Sequence, residues 1–183
     1  MKNKFKVTLC LVFFIFLTTT NIFADDFTFN TSKIEISDNG NTINAFRGVA
    51  KSIENDIEIK ADKFNYDKIS SILIATGNVE LKDLTNQNLI KSKKIYYNKK
   101  DGIIKSDTKS SLEDDLGNIF LTDNFIYTVK DNLVKVNKVK LTDFQKNVYE
   151  IEKAFINLKS NKVIGKDISL DLINEYFLKE NEP

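Results

Sequence analysis

From residue 27 onward, hydrophobic and polar positions alternate in short runs separated by polar turns. Ile57-Glu58-Ile59-Lys60-Ala61, Val79-Glu80-Leu81-Lys82, Val134-Lys135-Val136 and Val139-Lys140-Leu141 each carry an apolar residue at every second position. A period of two puts one side of a pleated strand in an apolar environment and the other in water. Ile, Val, Phe, Tyr and Thr dominate these runs, the residue types that suit a pleated, half-buried surface. No apolar stripe of helical period and length follows residue 25, although Asp171 to Lys179 allows a short terminal turn. The pattern predicts an all-β chain of many short antiparallel strands with no sizeable helix.

The parity of the alternation changes along the chain. Ile72 and Ile74 are even-numbered and Val79 and Leu81 odd, with Gly77-Asn78 between them. Val134 and Val136 give way to Val139 and Leu141 across Asn137-Lys138. A slip of one residue turns every later side chain to the other face, so a bulge or tight bend is expected at each junction. Gly77 supplies tolerance of positive φ at the first.

A repeat runs through the same region. Phe64-Asn65-Tyr66-Asp67-Lys68, Ile95-Tyr96-Tyr97-Asn98-Lys99, Phe125-Ile126-Tyr127-Thr128-Val129 and Phe155-Ile156-Asn157-Leu158-Lys159 start 30 or 31 residues apart. An earlier copy, Phe27-Thr28-Phe29-Asn30, lies 37 residues before Phe64. Each copy is an apolar-x-aromatic pair ahead of a polar turn, with Asn157 replacing the aromatic in the last. Units this small cannot bury their own apolar face, so neighbours must stack and share one core. A folded-over sandwich, a jelly roll and a strand solenoid all satisfy that requirement. Tyr66, Tyr97 and Tyr127 recur in register and so read as structural rungs.

The first residues form an address. Lys2, Lys4 and Lys6 precede the apolar run Val7 to Leu17, and Ala24 stands before Asp25-Asp26. A basic start, an apolar stretch of this length and a small residue at its end describe a secretory signal peptide, 1–24, with residues 25–183 as a single exported domain. The competing reading is an uncleaved anchor over 7–24. Removing 1–24 takes three lysines and no acids from a chain with Lys+Arg 27 and Asp+Glu 26, which leaves a slightly acidic protein. No basic excess or stripe then suggests nucleic acid.

Composition closes off most chemistry. With His 0, neither a Ser-His-Asp arrangement nor a His-containing zinc site can be built. Cys10 is the single cysteine, which excludes an intrachain disulfide, a redox pair and an iron–sulfur cluster. Glu113-Asp114-Asp115 reads as a solvated acidic loop, and Lys91, Lys93 and Lys94 as a wet outer strand face. No enzyme activity, metal or cofactor is expected.

The segment Ile59-Lys60-Ala61-Asp62-Lys63-Phe64-Asn65-Tyr66, followed by Ala75-Thr76-Gly77-Asn78-Val79-Glu80-Leu81, resembles the recurring unit of the OstA-like family of lipopolysaccharide transport. Weaker copies at 90–97 and 120–127 keep Ser92 and Thr122-Asp123 where that unit has Ala-Asp. The resemblance implies a V-shaped, taco-like β jelly roll whose apolar interior holds the acyl chains of lipopolysaccharide. It also implies a periplasmic location and modules joined edge to edge into a bridge. The start at Phe27 and the tail from Gly165 look most like the N-terminal domain of the family's outer-membrane assembly proteins, which would add a membrane barrel as a partner.

Alternation alone favours a sealed sandwich over a lipid groove. With the resemblance, the residues expected to line a lipid groove are Ile57, Ile59, Ile72, Ile74, Val79, Leu81, Ile90, Ile104, Phe120, Val134, Val136, Val139 and Leu141. The edge strands expected to meet neighbouring modules are Phe27 to Ile36 and Val163 to Leu172, unless lysines such as Lys162 and Lys166 protect the edge. The alternative is a structural or interaction β-solenoid with a sealed core and no lipid.

Overall fold

The computed structural model describes residues 27–52 and 54–171; the expected signal peptide 1–24 and the segment 172–183 lie outside them. The strands are β1 (Thr28–Ser37), β2 (Thr42–Ser52), β3 (Ile57–Asp67), β4 (Ile72–Asp83), β5 (Asn88–Asn98), β6 (Ile103–Ser106), β7 (Ser110–Glu113), β8 (Ile119–Thr128), β9 (Leu133–Thr142), β10 (Val148–Asn157) and β11 (Lys162–Asp171). They form one 11-stranded antiparallel sheet in chain order, in which β6 and β7 share one position between β5 and β8. Two strands and two turns make each repeat, which is why the sequence period is close to 30.

On β2, β3, β5, β8, β9 and β10 the buried positions change parity near mid-strand, which divides the sheet into two walls. Tyr66, Leu73, Tyr97, Ile104, Tyr127, Val134 and Ile156 are successive cross-strand partners on the first wall. Ile59, Leu81, Ile90, Leu112, Phe120 and Leu141 are successive partners on the second. All are buried and belong to one core cluster, so the two inner faces meet. Burying an Ile, Leu or Phe side chain in this way contributes about 1.5–3 kcal/mol.

The bends have a local cause. Arg47 on β2, Asn78 on β4, Lys138 on β9 and Asp167 on β11 all have positive φ. On β9 the buried positions pass from Val134 and Val136 to Val139 and Leu141 across Asn137-Lys138, as the alternation predicts. On β3 they pass from Ala61 to Phe64.

β4 departs from the expectation. Gly77 and Asn78 both adopt positive φ (76° and 46°), and the register shifts against β3 and β5 at this point. The extra residue lets β4 keep one parity through its bend, so Leu73, Ala75, Val79 and Leu81 all face inward. Ile72 and Ile74 are therefore half-buried on the opposite face and do not line the interior. The last repeat is also out by one: Ala154 and Ile156 are buried and Phe155 is 48% exposed. Phe27-x-Phe29 is no copy of Phe64-x-Tyr66, because Phe29 pairs with Ala50 beside Ile59, on the other wall.

Candidate functional site

The space between the walls is the one place where the described residues gather apolar side chains at scale. Ile57, Ile59, Val79, Leu81, Ile90, Ile104, Phe120, Val134, Val136, Val139 and Leu141 all point into it and are buried. Phe64, Tyr66, Leu73, Ile95, Tyr97, Leu112, Phe125, Tyr127 and Ile156 join them. The repeat signals six of these, since its apolar-x-aromatic pairs Phe64/Tyr66, Ile95/Tyr97 and Phe125/Tyr127 mark the inner face of the first wall; Leu73, Leu112 and Ile156 fall outside those pairs.

Where the tips of the walls meet, the contacts are polar. Asn55 Nδ2 donates to the Tyr97 hydroxyl at 2.7 Å. The Tyr127 hydroxyl donates to Asp83 Oδ2 at 2.6 Å, and Asn132 Oδ1 stands 2.7 Å from the same hydroxyl. A phenol has one proton, and the carboxylate is the stronger acceptor. Lys99 Nζ lies 2.9 Å from Glu54 Oε2, but Glu54 is largely exposed and an ion pair of this kind contributes at most about 1 kcal/mol. Burial pushes the Tyr127 phenol pKa well up, and the Asp83 carboxylate adds to the shift. Burial likewise raises Tyr97. Ser52 Oγ and the Asn88 amide are also buried at this rim, beside the Tyr97 and Tyr127 hydroxyls.

Each end of the interior is bounded by an edge strand. At the β1 end, Phe27 is buried with its ring centroid 5.0 Å from that of Tyr66 and 5.5 Å from that of Tyr97. At the β11 end, Ile168 and Leu170 pair with the inward residues Ile151 and Tyr149, yet stay 55% and 48% exposed. The β1 end also presents apolar surface to solvent: Ile34 and Ile36 pair with the inward residues Ala45 and Ile43 and stay 46% and 64% exposed. Within the described residues β1 pairs with β2 alone and β11 with β10 alone, so each has an unpaired edge. Lys162 and Lys166 on β11 are exposed.

The remaining polar features have local roles. Asp114 accepts hydrogen bonds from Leu116 N, Asn118 N and Asn118 Nδ2, which fixes its own turn. Among the described residues no group of three or more Asp, Glu, His or Cys is placed to hold a metal ion. A trough of about 1030 Å³ is lined by Lys91, Lys93, Lys109, Glu150 and Glu152, with both signs of charge interspersed, and reaches Val79, Val139 and Ile151.

No family model matches the chain, and no curated protein matches it. Among solved structures it is similar to LptH, the LptA-homologous periplasmic component of the conserved lipopolysaccharide transport device from Pseudomonas aeruginosa. The TM-score is 0.58 at 15% sequence identity, over 66% of this chain and 97% of that one. At that identity the likeness is one of fold: the chain has the β jelly-roll architecture of the OstA-like lipopolysaccharide-transport proteins.

Proposed function

We propose that this chain is a periplasmic lipid-transport module that holds the acyl chains of lipopolysaccharide between its two walls and passes them towards the outer membrane. The observation that carries this reading is the pair of facing apolar walls, with exposed apolar residues on both edge strands: Ile34 and Ile36 on β1, Ile168 and Leu170 on β11. The fold likeness to a periplasmic transport component supports it. Acyl chains entering the interior exchange water for an apolar lining, which is worth about 0.8 kcal/mol per methylene. No reaction is involved; the module works passively, with lipid moved by an energy source elsewhere. Residues 1–24 direct export and are removed, leaving 25–183 as the working domain. The unpaired edges of β1 and β11 join further jelly-roll modules by strand addition, and a barrel in the outer membrane is the partner at the far end of such a bridge.

The test is ultraviolet crosslinking in cells with a photoreactive residue at Ile59, Leu81 or Phe120. Lipopolysaccharide adducts are expected at these positions and not at Lys60 or Lys82. A second reading, a structural β-solenoid with a sealed core, draws on the near-complete burial of Tyr66, Tyr97 and Tyr127 by the protein's own side chains. A folded, exported protein with no inner adduct would establish that second reading.

A further inference from the structure

We propose that the slot between Tyr66 and Tyr97 is an acyl-chain subsite, which Phe27 occupies as a built-in stopper while no lipid is bound. The inference rests on the lipid-transport reading and adds to it a specific site and a competition for that site. Three observations carry it. The Phe27 ring is 3% exposed and meets both tyrosine rings edge-on, at interplanar angles of 76° and 79°. Phe27 also precedes the first ladder pair, Thr28 with Lys51, so its ring can leave the slot without breaking strand pairing. The rings lining the slot, by contrast, sit on strands paired on both sides: Tyr66 on β3 and Tyr97 on β5.

The chemistry selects a hydrocarbon. Phe27 meets the slot through ring contacts, and the one polar group of Tyr97, its hydroxyl, is already bonded to Asn55. A saturated chain needs the same things as the phenyl ring: apolar contact and exclusion of water. A chain that takes the slot must first displace a buried phenyl side chain, which weakens its apparent affinity on the order of tenfold or more. Phe27 thereby competes with lipid for the slot beside Tyr66 and Tyr97.

The sequence has no Trp, so Phe27→Trp gives a single indole reporter at the stopper. Purified lipopolysaccharide is titrated into this variant, into Phe27→Ala and into the unsubstituted protein, with bound lipid counted by co-elution. The expected result is a red shift of the indole emission and a gain in iodide quenching as lipid binds. In parallel, Phe27→Ala binds lipopolysaccharide about tenfold or more tightly than the unsubstituted protein, as release from the competing ring requires. If lipid binds with the indole still blue-emitting and shielded, and Phe27→Ala binds with unchanged affinity, the stopper is overturned and the transport reading stands. If none of the three proteins binds lipopolysaccharide, both fall. A melting curve for Phe27→Ala confirms that its binding is measured on folded protein.

Discussion

Tyr127 and Asp83 stand on opposite walls of the jelly roll and are joined by a hydrogen bond of 2.6 Å from phenol to carboxylate. The Asp83 side chain is buried, at 1% residue exposure, and it also accepts from the backbone N–H and the side-chain amide of Asn86, both at 2.9 Å. The contact therefore clasps the rim and also supplies one of the donors of a buried carboxylate. Tyr127→Phe keeps the ring and removes the donor. The expected loss is about 1–3 kcal/mol, the cost of leaving a buried polar group short of a partner. The urea unfolding midpoint measures it, and a midpoint equal to that of the unsubstituted protein would show that the rim is not held by this bond.

Alkaline pH acts on the same clasp. Burial and the neighbouring Asp83 raise the Tyr127 pKa above its ordinary value, and burial raises Tyr97. An unfolded tyrosine ionises near pH ~10, so above that pH the unfolded chain releases protons that the folded chain retains. The stabilisation is fully present below pH ~10 and is lost as pH rises beyond it. Denaturation midpoints measured from neutral to strongly alkaline pH should fall on the alkaline side, and less steeply in Tyr127→Phe. Tyrosinate absorbance should show the buried phenols ionising together with unfolding.

Much of this architecture is legible in the residues, and the exceptions have physical reasons. Alternation gives the strands, and the repeat period gives the stacked pairs of strands that make the walls. The bend at Asn137-Lys138 is visible because Val136 and Val139 flank it. At Gly77-Asn78 the bend is equally visible, but its consequence is not. Two consecutive left-handed residues add one position to β4, and no count of apolar residues distinguishes that from a simple slip. The runs Ile72-x-Ile74 and Leu73-x-Ala75 are both apolar, so composition could not choose between them. The rim was beyond reach for another reason: Asp83, Tyr127 and Asn55 lie far apart in sequence and meet their partners only once the sheet folds over.

That ambiguity on β4 yields a paired test. Leu73 is fully buried on the inner face, and Ile72 is half-buried on the outer one. Leu73→Ala should cost about 2–5 kcal/mol, as large-to-small changes in a packed core do, and Ile72→Ala clearly less. A photoreactive residue at Leu73 should also yield lipid adducts where one at Ile72 gives none. Equal destabilisation by the two substitutions would return the inner face to Ile72 and Ile74.

The last prediction concerns the bend where β1 meets β2. A Cβ added at Gly48 would overlap Asn30 O and the Cα of Thr31, both backbone atoms of β1. Neither can swing aside as a side chain could, so Gly48→Ala must move the strands apart. Overpacking of this kind costs about 1–3 kcal/mol. Within the described residues the strain falls on an edge strand paired with β2 alone, so it should appear as local loosening of β1 and not as global unfolding. Hydrogen exchange should show lost protection over 28–37 and retained protection over β8 to β10. Gly77→Ala makes the control. Its added Cβ would meet the Asp62 side chain, and φ at Gly77 is +76°, but β4 is flanked on both sides. Its cost, about 1–2 kcal/mol for a non-glycine residue forced into that conformation, should leave β1 protected. If β1 loosens equally in both variants, the close approach at Gly48 is not what holds the edge strand in place.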